Sequence, residues 1–174
     1  AQPLGIAVAS LAVPSLAADW GIPAALALGG ALTLVSLALC AFAIVDPARP
    51  ARKALPGVSE NPYRGSSALH RIHAVSILLV LPQFALSTFG LVWFTAGFGW
   101  DPLAAGAVVA VSQLLGAGGR IVVGVWSDRL GSRLRPLRWV AVAGIATMLV
   151  TAAFGALDWS IAAAIAFVLA SCVS

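Results

Sequence analysis

The sequence predicts an all-α, polytopic helical membrane protein, and three observations predict it. Of its residues, 61% are hydrophobic and only 9% are charged, against about a quarter charged in an ordinary soluble domain. Mean hydropathy is +1.01. The apolar runs are far longer than the roughly 10 residues of a barrel strand, and in lipid only helices and closed barrels satisfy every backbone group. A core built from 174 residues cannot hide so much apolar surface from water, so lipid is the solvent for most of the chain. At about 20 residues per crossing there is room for roughly six spans.

The spans follow in order. The first covers residues 1–18 and the second 23–45, opened by Pro23 at a first helical position, where a missing N–H costs nothing. A polar segment, 46–68, precedes a third span at 69–97 that Ser66 or Ser67 can cap. Asp101-Pro102 reads as an N-cap followed by proline and opens the fourth span, 102–126. A charged loop, 127–137, leads to a fifth span at 137–157 and a sixth from 160 onward, which Asp158 or Ser160 can cap. The chain starts at Ala1 and stops at Ser174, each inside an apolar run, and no signal-peptide pattern is visible. The expectation is a piece of a longer chain.

Charge sets the orientation. Arg49, Arg52, Lys53, Arg64 and Arg71 lie in or beside segment 46–68, and Arg129, Arg133, Arg135 and Arg138 in or beside loop 127–137. If the helices alternate, both loops share one face, which the bias of Lys and Arg makes cytoplasmic. The other face carries the turns at Asp19, Asp101 and Asp158, without Lys or Arg. The net charge of +4 is therefore a topology signal. No soluble domain presents these bases to nucleic acid. Trp20, Trp100 and Trp159 at the acidic turns, Trp126 and Trp139 beside the arginine loop, and Trp93 near the end of the third span fit interfacial belts. The pairing of Asp with Trp at three turns reads as three similar interfaces, not as an internal repeat.

Residues 124–138 read GVWSDRLGSRLRPLR. Gly124, Asp128, Arg129, Gly131 and Arg133 follow the pattern G-x-x-x-D-R-x-G-x-R, and the stretch resembles the motif A loop of the major facilitator superfamily. Ser132 stands where the family often has a second base, and Trp126 where an aliphatic residue is usual. The resemblance implies a twelve-helix transporter of two six-helix halves joined by a long cytoplasmic loop. This copy of the motif would lie between the eighth and ninth helices. Residues 1–45 would then be the last two helices of the N-terminal half, 46–68 the loop between halves, and 69–174 the first four helices of the C-terminal half. The implied function is secondary active transport of a small solute by alternating access, in the plasma (inner) membrane. The implied role of Asp128 is a gate latch, partnered by Arg129 and Arg133 and by the N-terminal end of the eleventh helix, which this chain does not include. A solvated loop that only sets topology is the plainer reading of the same residues. Solute, direction, a coupling proton or ion, and oligomeric state are not legible.

Polar residues at membrane depth are the other candidates. Arg120 is the charged one. Helical side chains lean toward the helix start, so Arg120 leans away from its nearer interface. Gln113, Gly116 or Ala117, Arg120, Gly124 and Asp128 follow one another down one face of the fourth span. They form either a cavity wall, with Arg120 able to bind an anionic group, or a close-packed helix contact. Ser76, Gln83, Ser87 and Gly90 form a second stripe in the third span, where Pro82 can kink the helix. Gln83 and Ser87 join Gln113 and Arg120 as the candidate substrate pathway. The second and fifth spans carry only scattered Ser and Thr, which suits lipid-facing helices.

Several classes are disfavoured. No nucleotide-binding loop, metal constellation or nucleophile–base pair is recognisable, which argues against an enzyme and against a cofactor. His70 and His73 lack a third ligand and read as interfacial. Cys40 and Cys172 sit in separate apolar runs without metal-ligand spacing. No carboxylate lies at mid-membrane, so a coupling acid is not among these residues. A non-transporting membrane sensor or assembly protein of the same fold, and an inactive fragment, remain the alternatives.

Overall fold

The computed structural model describes residues 2–42, 67–131 and 134–173. All regular structure among them is helical: α1 Gln2–Trp20, α2 Ile22–Phe42, α3 Ala68–Val92, α4 Pro102–Leu130, α5 Leu134–Ala156 and α6 Ser160–Val173, with α3 extended by a π-helical turn at Trp93–Gly97. Five of these, counting α3 with its π turn, are long and apolar enough to cross a membrane, and α6 is a shorter apolar helix. The surface agrees with the composition. Leu26, Leu34 and Leu37 of α2 are 72%, 67% and 64% exposed, a face that only lipid or another apolar surface can cover.

Alpha-4 is the hub, packed on α1, on α6 and more lightly on α3. Its glycines explain how. Pro14 lies inside α1 and has no N–H, so the Ser10 carbonyl four residues earlier loses its helical donor. Gly106 of α4 packs on that carbonyl so closely that a Cβ there would overlap it. The Cα–H of Gly106 is placed to serve the freed oxygen as a weak donor. Farther along α4, Gly116 and Gly119 meet the backbone carbonyls of Ser171 and Cys172 in α6 in the same way. Small residues of this kind let helix backbones approach in a membrane, where apolar burial supplies little drive.

A core of larger side chains sits toward the acidic turns. Phe167 of α6 packs on Gly90 of α3, where an ideal Cβ would lie 2.5 Å from its ring, and on Val109 of α4. Phe94, wholly buried, meets Phe167 edge-on at 5.2 Å and Trp100 at 5.2 Å. Trp93 fits against Gly155 and Gly97. The π turn begins at Trp93 and carries these rings; such a turn widens the helix by about one residue and re-aims the side chains after it. Trp93 and Trp100 are therefore packing residues, unlike Trp20, Trp139 and Trp159, which are exposed as interfacial anchors would be. Trp159 stacks on Phe154 at 5.9 Å.

Helix ends confirm some expectations and correct others. The Asp101 carboxylate accepts from the Leu103 and Ala104 amides at 3.0 and 3.1 Å, with Pro102 at the first helical position. Asp101→Ala is expected to cost about 1 kcal/mol, read as a lower unfolding midpoint of the purified protein, with Asp101→Asn retaining most of it. Ser67 stands at the N-cap of α3 but makes no capping side-chain bond, and Ser66 lies outside the described residues. Neither Asp158 nor Ser160 is the N-cap of α6: the first helical bond, Ala163 N–H to the Trp159 carbonyl, puts Trp159 there. Asp158 instead takes a left-handed φ of 55° in the turn. Alpha-3 runs unbroken through Pro82, and its irregular turn comes eleven residues later.

The largest correction concerns the arginine segment. Hydropathy ends near Trp126, but α4 continues through Ser127, Asp128, Arg129 and Leu130. Nothing in that run breaks a helix. Gly131 does, with φ 59° and its N–H bonded to the Asp128 carbonyl. Alpha-5 then starts at Leu134, before the expected 137, with Pro136 in the first turn where no helical donor is missed. The expected eleven-residue loop is thus mostly helix end.

Candidate functional site

The candidate gate residues now have places. Gly124, Asp128 and Arg129 lie on the last turns of α4, and Gly131 is its left-handed cap. Arg133 and Ser132 lie outside the described residues, as do Arg49, Arg52, Lys53 and Arg64 of the expected inter-half loop. Asp128 and Arg129 are exposed, and the space beside Gly124 and Gly131 is open to 4 Å. Asp128 thus stands at the basic end of α4 with its carboxylate presented outward.

A cavity of about 950 Å3 opens between α3, α4, α5 and α6 over their basic-end halves. Alpha-4 lines it with Gly119, Arg120, Val123, Gly124 and Ser127, a spacing that keeps them on one face. Alpha-3 contributes Gln83 and Pro82, and α6 contributes Cys172. The α5 wall runs from Pro136 to Leu149 and is apolar. Arg120 is half-buried, and its guanidinium turns back along α4, 3.7 Å from where a Gly116 Cβ would sit. That is the lean expected of a helical side chain, away from the nearer helix end.

Of the four candidate pathway residues, the structure brings two to this cavity. Gln83 and Arg120 line it. Gln113 is 3% exposed, buried in the helix packing two turns before Arg120. By helical spacing it shares the face of Gly106, which meets α1. Ser87 is half-buried, and its hydroxyl donates to the Phe84 carbonyl of its own helix at 3.2 Å. The polar stripe of α4 therefore divides, its first part closing on α1 and α6 and its second part facing the cavity. Alpha-5 has two sides: one lines the cavity, while Trp139 and Val142 on the other are exposed, as a helix with a lipid-facing side would have them. The sequence reading missed Ser127, Gly119 and the α5 wall. Only Ser127 carried a polar signal, four residues before Gly131.

Stacked apolar helices, close-packed through glycine and bordering an open cavity with a half-buried cation, define an integral, multi-pass helical membrane protein. The model of the Major Facilitator Superfamily matches residues 1–174, and the chain belongs to that family. It is similar to two proteins from two strains of Mycobacterium tuberculosis, each described as an uncharacterized MFS-type transporter. Each is 47% identical over 154 residues, covering 88% of this chain and 34% of the relative. The chain thus spans about a third of the length of the curated relatives it matches. No solved structure matches the chain at comparable stringency.

Proposed function

We propose that the intact protein is a secondary transporter that moves a small solute across the membrane by alternating access, with the basic end of α4 as its gate. Family membership over residues 1–174 is the observation that carries this reading. The placement of Asp128 supports the gate. A carboxylate on the last turn of a helix, exposed and beside two open glycines, is free to approach a neighbouring helix bundle. If it meets a helix N-terminus there, the partial positive charge of that terminus stabilises it. Rocking of two bundles about a midplane site would make and break this contact once per cycle. Arg129, and Arg133 beyond Gly131, would keep this face cytoplasmic and partner the acid.

The test is flux. The intact protein, reconstituted in liposomes, is expected to move at least one solute of a chemically broad panel saturably and down an imposed ion or solute gradient. A panel without any saturable flux, from protein shown to be folded, would count against transport and favour a sensor or assembly role. The 174-residue chain by itself is expected to transport nothing, because it covers only 34% of its relatives and so lacks most of the bundle that must rock. Saturable flux from the chain alone would overturn the proposed architecture.

A further inference from the structure

We propose that the cavity between α3, α4, α5 and α6 is a binding site for an amphipathic anion, a carboxylate or phosphate on an apolar body, with Arg120 as its anchor. The inference deepens the transport reading and rests on it only for the claim that the ligand is carried.

Four observations converge. The first is depth. Six residues separate Arg120 from Trp126, where hydropathy ends, roughly 9 Å at helical rise, and the guanidinium points back along the helix, away from that boundary. The side chain is thus not reaching for the nearer water, and a cation held at such depth marks a functional site by default. The second is charge. Arg120 is the one charged side chain among the described residues that line the cavity. Those lining residues include no carboxylate, so the cavity favours an anion and disfavours a cation. The guanidinium fork suits a carboxylate or phosphate in particular, binding two oxygens at once. The third is the wall. Gln83 and Ser127 are the other polar side chains beside Arg120, apart from the Cys172 thiol, and the rest is apolar or glycine. A small hydrophilic anion such as inorganic phosphate would leave that wall unfilled. The fourth is size. The cavity is open on one side, and its volume of about 950 Å3 leaves room for a drug-sized ligand.

The apolar body would lie along α5, between Val140 and Met148, with the anionic group toward α4. Gly144 leaves room there: nothing lies within 4 Å of where its Cβ would be.

The probe pair is naphthalene-2-carboxylate and its neutral amide, which share one body and differ in charge. Binding to the intact protein is measured calorimetrically in nanodiscs of zwitterionic lipid, against empty nanodiscs. The carboxylate should bind saturably and at least tenfold more tightly than the amide. Arg120→Gln should abolish that preference, and Arg120→Lys should retain part of it. Because an Arg120 variant can fail to fold, Gly144→Leu provides an independent check. Its side chain adds volume to the α5 wall of the cavity, and carboxylate binding should fall at least tenfold while the unfolding midpoint holds. Equal binding of acid and amide, or binding indifferent to both Arg120→Gln and Gly144→Leu, overturns the inference. Adding phosphatidylglycerol to the nanodiscs separates the sources of the anion. Competition that depends on Arg120 assigns the site to a lipid headgroup, and its absence assigns it to a free solute. Binding without flux in liposomes would uphold the site and remove the transport reading. Flux of other solutes without carboxylate binding would do the reverse.

Discussion

Gly119→Ala is expected to destabilise the intact protein by about 1–2 kcal/mol, while Gly118→Ala, one residue earlier, stabilises it by about 0.5–1 kcal/mol. The two glycines share a helix, a neighbourhood and a helix-propensity gain on becoming alanine. They differ in what the new methyl meets. At Gly119 it would overlap the backbone carbonyl of Cys172, which no rotamer change can move aside. At Gly118 it meets nothing within 4 Å. Alpha-4 and α6 would have to separate at Gly119, and the loss would spread to Gly116 on the Ser171 carbonyl. Gly106→Ala should behave like Gly119→Ala, through the Ser10 carbonyl that Pro14 leaves free. The measurement is the unfolding midpoint of each variant in one detergent. Equal shifts at 118 and 119 would mean that α4 and α6 are not packed through these glycines.

That contrast also marks what could be read from the chain. The spans were legible because a helix that must satisfy its backbone in lipid declares itself by apolar length, and α1, α2, α3, α4 and α5 all do. Caps were legible where the chemistry was unambiguous, as at Asp101-Pro102. The end of α4 was misjudged because hydropathy reports where lipid ends, and a helix stops only where its backbone does. Trp126 is the first boundary and Gly131 the second. The π turn at Trp93–Gly97 carried no local signal, since it serves rings that pack against Phe167 of α6 and Val109 of α4.

The candidate site was legible in part for a related reason. Helical spacing placed Gln113, Gly116, Arg120 and Gly124 on one stripe, but a stripe on a central helix is shared among several neighbours. Gly116 faces α6, Gln113 is buried, and only Arg120 and Gly124 reach the cavity. Which neighbour takes which turn depends on tertiary packing that no single helix encodes. The α5 wall was invisible because apolar residues facing a cavity and apolar residues facing lipid look alike in sequence.

Asp128→Asn is expected to open the basic face of the intact protein. The substitution keeps shape and hydrogen-bonding capacity and removes the charge, so it isolates the electrostatic part of the proposed latch. A carboxylate at a helix N-terminus gains about 0.3–1 kcal/mol, and up to about 2 kcal/mol when partly buried. Losing it would shift the balance of the two bundle orientations by a factor of about 2 to 30. Ser127 reports the shift: it lines the cavity one residue before Asp128. With Cys40 and Cys172 replaced, a cysteine introduced by Ser127→Cys should react with a membrane-impermeant maleimide from the basic face. Adding Asp128→Asn should speed that reaction about 2- to 30-fold over the same protein with the native acid. Solute flux should fall, because a carrier biased to one side spends less time completing its cycle. Asp128→Glu should lie between, since it keeps the charge but displaces it by one methylene. Arg129→Gln tests the other member of the pair. If the arginine only sets topology, its loss leaves labelling unchanged, and if it partners the acid, labelling rises with the same sign as in Asp128→Asn. Unchanged labelling and unchanged flux in Asp128→Asn would reduce the motif to a solvated helix end, because a latch that bears no energy in either orientation cannot bias the equilibrium between them.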